Sequence, residues 1–210
     1  MNIDVDGLTH NIIFPVKHKH VEIDKERMLY LEGFYAGRFQ DKGYQPHFET
    51  VFKQLTGHCA YKYAELSKKG IMLVGGVGNG KTFAMQIISQ MFNIDFYPAL
   101  DISEFYKKHE EFPKPNMIFT NRAKWGRDII IDDVGTEKTI VNYGERTEVI
   151  NDFIQKRYRE FKEKHAITYI STNLSREAFI KRYSERVWSR IDEMCLIIDM
   201  TNCRDLRKEL

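Results

Sequence analysis

Cysteine is scarce and badly placed for covalent stapling. Cys59, Cys195 and Cys203 are odd in number and uneven in spacing. They form neither a disulfide framework nor a zinc-ligand pattern, and a reducing cytoplasm fits this usage best. No apolar run approaches the roughly 20 residues needed to cross a bilayer, so no membrane contact is expected. The opening residues, Met1-Asn2-Ile3-Asp4-Val5-Asp6, are acidic and lack the basic-then-apolar pattern of an export signal. Internal repeats and low-complexity tracts are missing too. So is a dominant charge: a net charge of +2 over 210 residues says little about partners. His18-Lys19-His20 has no acid or cysteine at ligand spacing and reads as surface rather than metal site.

What is present suits one soluble α/β domain with an extension. Hydrophobic residues make up 42% and charged residues 30%, enough to bury a full core without staples. Charge gathers locally: from Gln155 to Arg190 there are ten basic residues against four acidic ones. Such an excess either attracts nucleic-acid phosphates or marks two solvated helix faces.

Along the chain, residues 1–20 read as an extended arm. Asp24 caps a helix through Met28, Leu31 and Tyr35, and a second helix covers Phe48 to Leu66. Beyond Gly70 the pattern alternates. Strands are predicted at Ile71–Val74, Ile94–Tyr97, Asp128–Asp132, Ile167–Ser171 and Cys195–Met200. Helices are predicted from Lys81 to about Met91, from a Ser103 cap to Glu110, and over Arg146–Lys164. Others run from a Ser175 cap to Tyr183 and over Arg186–Ile191. Strands alternating with helices imply a mostly parallel sheet covered on both faces.

Gly75-Gly76-Val77-Gly78-Asn79-Gly80-Lys81-Thr82 fits the P-loop pattern, between a buried strand and a helix. Glycines let backbone wrap phosphate oxygens, and successive N–H groups at a helix N-terminus face the anion. Lys81 reaches the β- and γ-phosphates, and the Thr82 hydroxyl ligates Mg²⁺. Residues 75–82 and the following Phe83 are therefore the ATP-binding candidates. Fifty-one positions beyond Lys81, the apolar run Ile129-Ile130-Ile131 ends in Asp132-Asp133. Asp132 suits the magnesium, commonly through water, and Asp133 suits orientation of the attacking water. A further 41 positions on, Tyr169-Ile170-Ser171-Thr172 ends in Asn173, which can sense the γ-phosphate or the lytic water. Arg186 and Arg190 stand four apart on one helix face, where one can reach a neighbouring subunit's γ-phosphate.

The order GGVGNGKT, IIIDDVG, ISTN, ERVWSR resembles the AAA+ ATPases. Within them it is similar to the DnaC and DnaI type of helicase loader and to the IstB type of transposition helper. Ile154-Gln155-Lys156-Arg157-Tyr158, just before the Asn173 strand, shares in that resemblance. The resemblance covers roughly Phe48 to Leu210. It implies a P-loop NTPase three-layer sandwich with five parallel strands in the order 5-1-4-3-2, without a full helical lid. It further implies Arg190 as the favoured finger with Arg186 beside it, and Arg204 or Arg207 near the nucleotide. Residues 48–210 are then the ATPase domain, and residues 1–47 an N-terminal arm and helix that grips a partner. The implied partners are ATP or ADP, single-stranded DNA, a replicative helicase or transposase, and further copies of the chain assembled by ATP. Many AAA+ proteins carry Glu where Asp133 stands, so slow basal turnover is expected.

Two other functions compete with such a replication or transposition factor. One is a nucleotide-dependent protein-binding switch with little turnover. The other is a P-loop kinase, disfavoured because the Asp132-Asp133 and Asn173 strand ends serve water rather than a second substrate.

Overall fold

The computed structural model describes residues 33–34, 36–38, 54–58, 68–109, 128–142, 145–203 and 205–206, with only the backbone of 140–142 and 145–147. The chain divides into two compact units, Met1–Ser67 and Lys68–Leu210. In the first, residues 33–34, 36–38 and 54–58 are helical, within the two helices expected there. The arm over residues 1–20, the boundary expected at 47/48 and the pair Arg204 and Arg207 lie outside the described residues.

In the second unit the chain alternates strand and helix. It runs β1 (Gly70–Val74), α1 (Lys81–Phe92), β2 (Asp95–Pro98), α2 (Ala99–His109), β3 (Ile129–Val134), then a hairpin β4 (Ile140–Asn142) and β5 (Glu145–Thr147). It continues through α3 (Val149–Lys164), β6 (Thr168–Thr172), α4 (Arg176–Tyr183), α5 (Glu185–Met194) and β7 (Cys195–Asp199). Five strands form one parallel sheet in the order β2-β3-β6-β1-β7. Numbered by chain order, this is the expected 5-1-4-3-2 read from its other edge.

Side chains of a strand alternate between faces, so both faces of these apolar strands need cover. Met72, Val74, Ile129, Ile131 and Ile170 join a core with Ile102 of α2, Phe153 of α3, Phe179 of α4 and Trp188 of α5. The alternate residues Ile71, Leu73, Ile130 and Tyr169 are buried as well, and α1 contributes buried Ala84, Met85, Ile87 and Ile88. Helix α1 packs on β3 and β6. Trp188 meets Phe179 edge-on at 5.5 Å and is a core residue.

Three local expectations change. Ser103 caps nothing: α2 begins at Ala99, directly after β2, and the Ser103 hydroxyl is buried inside it. Arg146 is not helical. It pairs with Val141 in the β4–β5 hairpin, whose β-branched Ile140, Val141 and Thr147 favour extended backbone. The periodic apolar face that makes α3 starts only at Val149. Strand bounds move toward the carboxyl end: the second strand is Asp95–Pro98, the third Ile129–Val134 and the fourth Thr168–Thr172.

Arg157 of α3 anchors the start of β6. Its Nε donates to Thr168 Oγ1 at 3.0 Å and its Nη2 to the Ile167 carbonyl at 3.1 Å, while Nη1 pairs with Glu160. Both side chains are buried. Removing one partner of a buried pair strands the other charge. Arg157→Ala is therefore expected to destabilise the domain by about 3–5 kcal/mol, read as a lowered denaturant midpoint at unchanged slope.

Candidate functional site

Strand β6 lies between β1 and β3, so the carboxyl ends of three neighbouring strands deliver the P-loop, Asn173 and the acid pair to one edge. Ligands of open parallel sheets bind at such an edge. The loop after β1 turns through Gly78 (φ 89°) and Gly80 (φ 81°), left-handed values that glycine adopts at no steric cost. No side chain caps α1 and its first turn carries no acid, which leaves its N–H groups for an anion.

Lys81 is buried and bound to its own loop. Its Nζ donates to the carbonyls of Gly75 (2.8 Å) and Gly76 (2.6 Å) and to Asn79 Oδ1 (3.0 Å). Asn79 in turn donates Nδ2 to the Met200 carbonyl at 2.8 Å, and Leu206 N–H donates to the Gly78 carbonyl at 3.0 Å. Asn79 thus faces inward, holding the loop to the segment after β7. Val77 is 63% exposed at the loop, and Phe83 is half-buried in the first turn of α1.

The Thr82 hydroxyl lies near enough to Asp132 to favour its ionised form. A hydroxyl and a carboxylate side by side form a hard oxygen donor set, which fits Mg²⁺ on a nucleotide. Asp132 is buried, and burial pushes its pKa up; the Ser171 and Thr82 hydroxyls oppose that rise, Asp133 adds to it, and the Lys81 charge opposes it. At Asp132-Asp133 the pairing of β3 with β6 shifts register, and Asp133 takes a left-handed φ of 59°. That conformation is tolerated by Asp more readily than by most residues. The break turns the Asp133 carboxylate to Asn173, whose Nδ2 donates to it at 2.5 Å.

Ser171, given no role above, joins the two acids. Its hydroxyl accepts from Asp133 N–H at 2.8 Å and donates to Asp132 Oδ1. It stands within β6, two residues before Asn173, and no pattern in the sequence marked it. Glu137 and Arg182, described below, carried no motif at all.

The arginines sit on α5. Arg186 is exposed. Arg190 is half-buried, donates Nη1 to Gln155 Oε1 at 2.7 Å and lies 5.1 Å over the Tyr158 ring, both on α3. The basic surface is smaller than the residue tally from Gln155 to Arg190. Arg157 is buried, Arg182 is bound inside the fold, and Lys162 and Arg176 pair with Glu193 and Glu185.

No family model matches the chain, and no curated protein matches it. Solved structures do. The DnaC helicase loader is matched over 79% of this chain and 97% of that one, with a TM-score of 0.50 and 18% identity. The chain shares the fold of that helicase loader. DnaI is matched over 71% of this chain and 84% of that one, with a TM-score of 0.49 and 15% identity. No helix among the described residues is long and apolar enough to cross a membrane.

The raised pKa of Asp132 has a stability consequence. The folded state favours the protonated acid, so ionised Asp132 costs stability at neutral pH, and the cost fades as pH falls through the raised pKa. Asp132→Asn is expected to melt higher than wild type at pH 7 without nucleotide. Thermal unfolding across pH should show the gap closing toward acid.

Proposed function

We propose that the protein is an ATP-binding and ATP-hydrolysing AAA+ factor of the helicase-loader kind, serving DNA replication or transposition in the cytoplasm. The observation that carries the reading is the meeting of P-loop, Thr82–Asp132 and Asp133–Asn173 at the carboxyl ends of β1, β3 and β6.

Residues 75–82 bind the ATP phosphates through backbone N–H groups. Lys81 exchanges its loop carbonyls for the β- and γ-phosphate oxygens. Thr82 and Asp132 hold Mg²⁺, which supplies charge neutralisation at the phosphates when bound. Asp133 orients the attacking water, and Asn173 holds the Asp133 carboxylate and senses the γ-phosphate. Arg190, with Arg186 beside it, serves the site of a neighbouring copy in an ATP-dependent oligomer. Single-stranded DNA is bound by the exposed basic residues of α3 to α5. A replicative helicase or transposase is gripped by residues 1–47.

One observation favours the second reading, a protein-binding switch with little turnover. The Asp133 carboxylate is occupied by Asn173, and Asp is shorter than the Glu that many AAA+ proteins carry there.

Calorimetry and turnover assays together decide. Lys81→Ala is expected to lose ATP binding, and unchanged affinity would overturn the P-loop reading. Asp133→Asn is expected to bind ATP and to hydrolyse it about 10²–10⁴-fold more slowly, the range for losing a general base. Single-stranded DNA should bind more tightly with ATP than with ADP, and more weakly as salt rises. No DNA affinity at low ionic strength, with ATP still bound, leaves the switch.

A further inference from the structure

The turn after Asp133 is fastened by a buried cluster that the phosphate chemistry does not use. Glu137 is 2% exposed. Its Oε2 accepts the Gly135 N–H at 2.9 Å. Its Oε1 accepts Arg182 Nη2 at 2.9 Å and the Tyr183 hydroxyl. Arg182 returns to the same turn, donating Nη1 to the Gly135 carbonyl at 2.6 Å and Nη2 to the Glu137 carbonyl. Gly135 is thereby held at both its N–H and its C=O, two residues beyond Asp133. Its φ of 108° suits glycine, and a Cβ there would lie 2.7 Å from Leu174 Cδ1. Leu174 adjoins Asn173, the donor to Asp133.

Burying the Glu137 carboxylate costs several kcal/mol of desolvation, repaid only with good geometry and full hydrogen bonding. Both its oxygens are used: Oε1 ties the turn to α4, and Oε2 closes the turn on itself at Gly135. An apolar plug would fill the same space but could not grip the backbone of Gly135. The turn also carries two left-handed residues, Asp133 and Gly135, on either side of Val134, so it holds its shape only against a firm support.

We propose that Glu137 and Arg182 are positioning residues for hydrolysis: they lock the Asp133–Gly135 turn to α4 and so aim the Asp133 carboxylate at its place beside Asn173. This rests on the ATPase reading above. Neither side chain touches nucleotide in this proposal, so their loss should spare ATP binding and slow the chemical step.

The test uses full-length Glu137→Gln, Arg182→Lys and Tyr183→Phe. Tyr183→Phe removes one bond to Glu137 and keeps the ring packed on Phe179, 4.7 Å away, so it survives if the others fail to fold. Arg157→Ala serves as a control destabilised elsewhere. Turnover is measured per bound nucleotide, beside amide hydrogen exchange at Asp133 to Glu137. Expected is kcat lowered in the three variants, on the order of 10²-fold in Glu137→Gln, with KM and ATP affinity unchanged and faster exchange in the turn. Arg157→Ala should keep its kcat per bound nucleotide. Unchanged kcat in every folded variant, or equal losses in the control, would overturn the proposal. A wild type that binds ATP but never turns over sinks the ATPase reading instead. Exchange then decides the lock: faster at Asp133 and Gly135 in the variants supports it, and unchanged exchange rejects it.

Discussion

The backbone pairing that seats β6 between β1 and β3 governs the rest of this molecule. Ile170 lies opposite Met72 on one side and Ile131 on the other. Where those three strands stop, their next residues are neighbours in space although far apart in the chain. Gly75 donates its N–H to the Thr172 carbonyl, and the Thr172 hydroxyl donates to the Val134 carbonyl at 2.6 Å. The glycine-rich loop, Asn173 and the two acids therefore share one hydrogen-bonded rim. A shift of β6 by one residue would exchange its inward and outward faces and disperse all three.

That rim is held together by charges and hydroxyls kept out of water. Asp132, Lys81 and Glu137 are buried, and each has polar partners. Buried ions are held at a cost that hydrophobic residues would not incur. Here loop backbone supplies part of the partners, the Gly75 and Gly76 carbonyls for Lys81 and the Gly135 N–H for Glu137, and side chains supply the rest. The charges thus fix loop shape as well as supplying chemistry. Lys81 is the clearest case, because the ammonium suited to phosphate oxygens is satisfied by the carbonyls of its own loop.

The P-loop and the Asp132-Asp133 strand were legible because their signals are local: glycines, a lysine and an apolar run within a few positions. The strand order followed from the resemblance and holds. The β4–β5 hairpin was not legible, since Arg146 and Thr147 precede an amphipathic helix and borrow its pattern. Ser103 looked like a cap because a helix starting directly at the end of β2 leaves no turn signal. Ser171, Glu137 and Arg182 act through partners about 40 positions away. One chain without aligned relatives offers no period or motif that points to such contacts.

The strand that leads into the P-loop is completed only by β7, far along the sequence. β1 pairs with β7, Gly70 opposite Cys195 and Val74 opposite Asp199, and Asn79 is held by Met200, 121 positions later. During synthesis the phosphate loop leaves the ribosome long before these partners exist. Until β7 docks, the apolar β1 keeps an open edge onto which other chains can pair. Pairing across such separations is intrinsically slow. The interval between making the loop and closing it is when this edge is open to pairing with other chains.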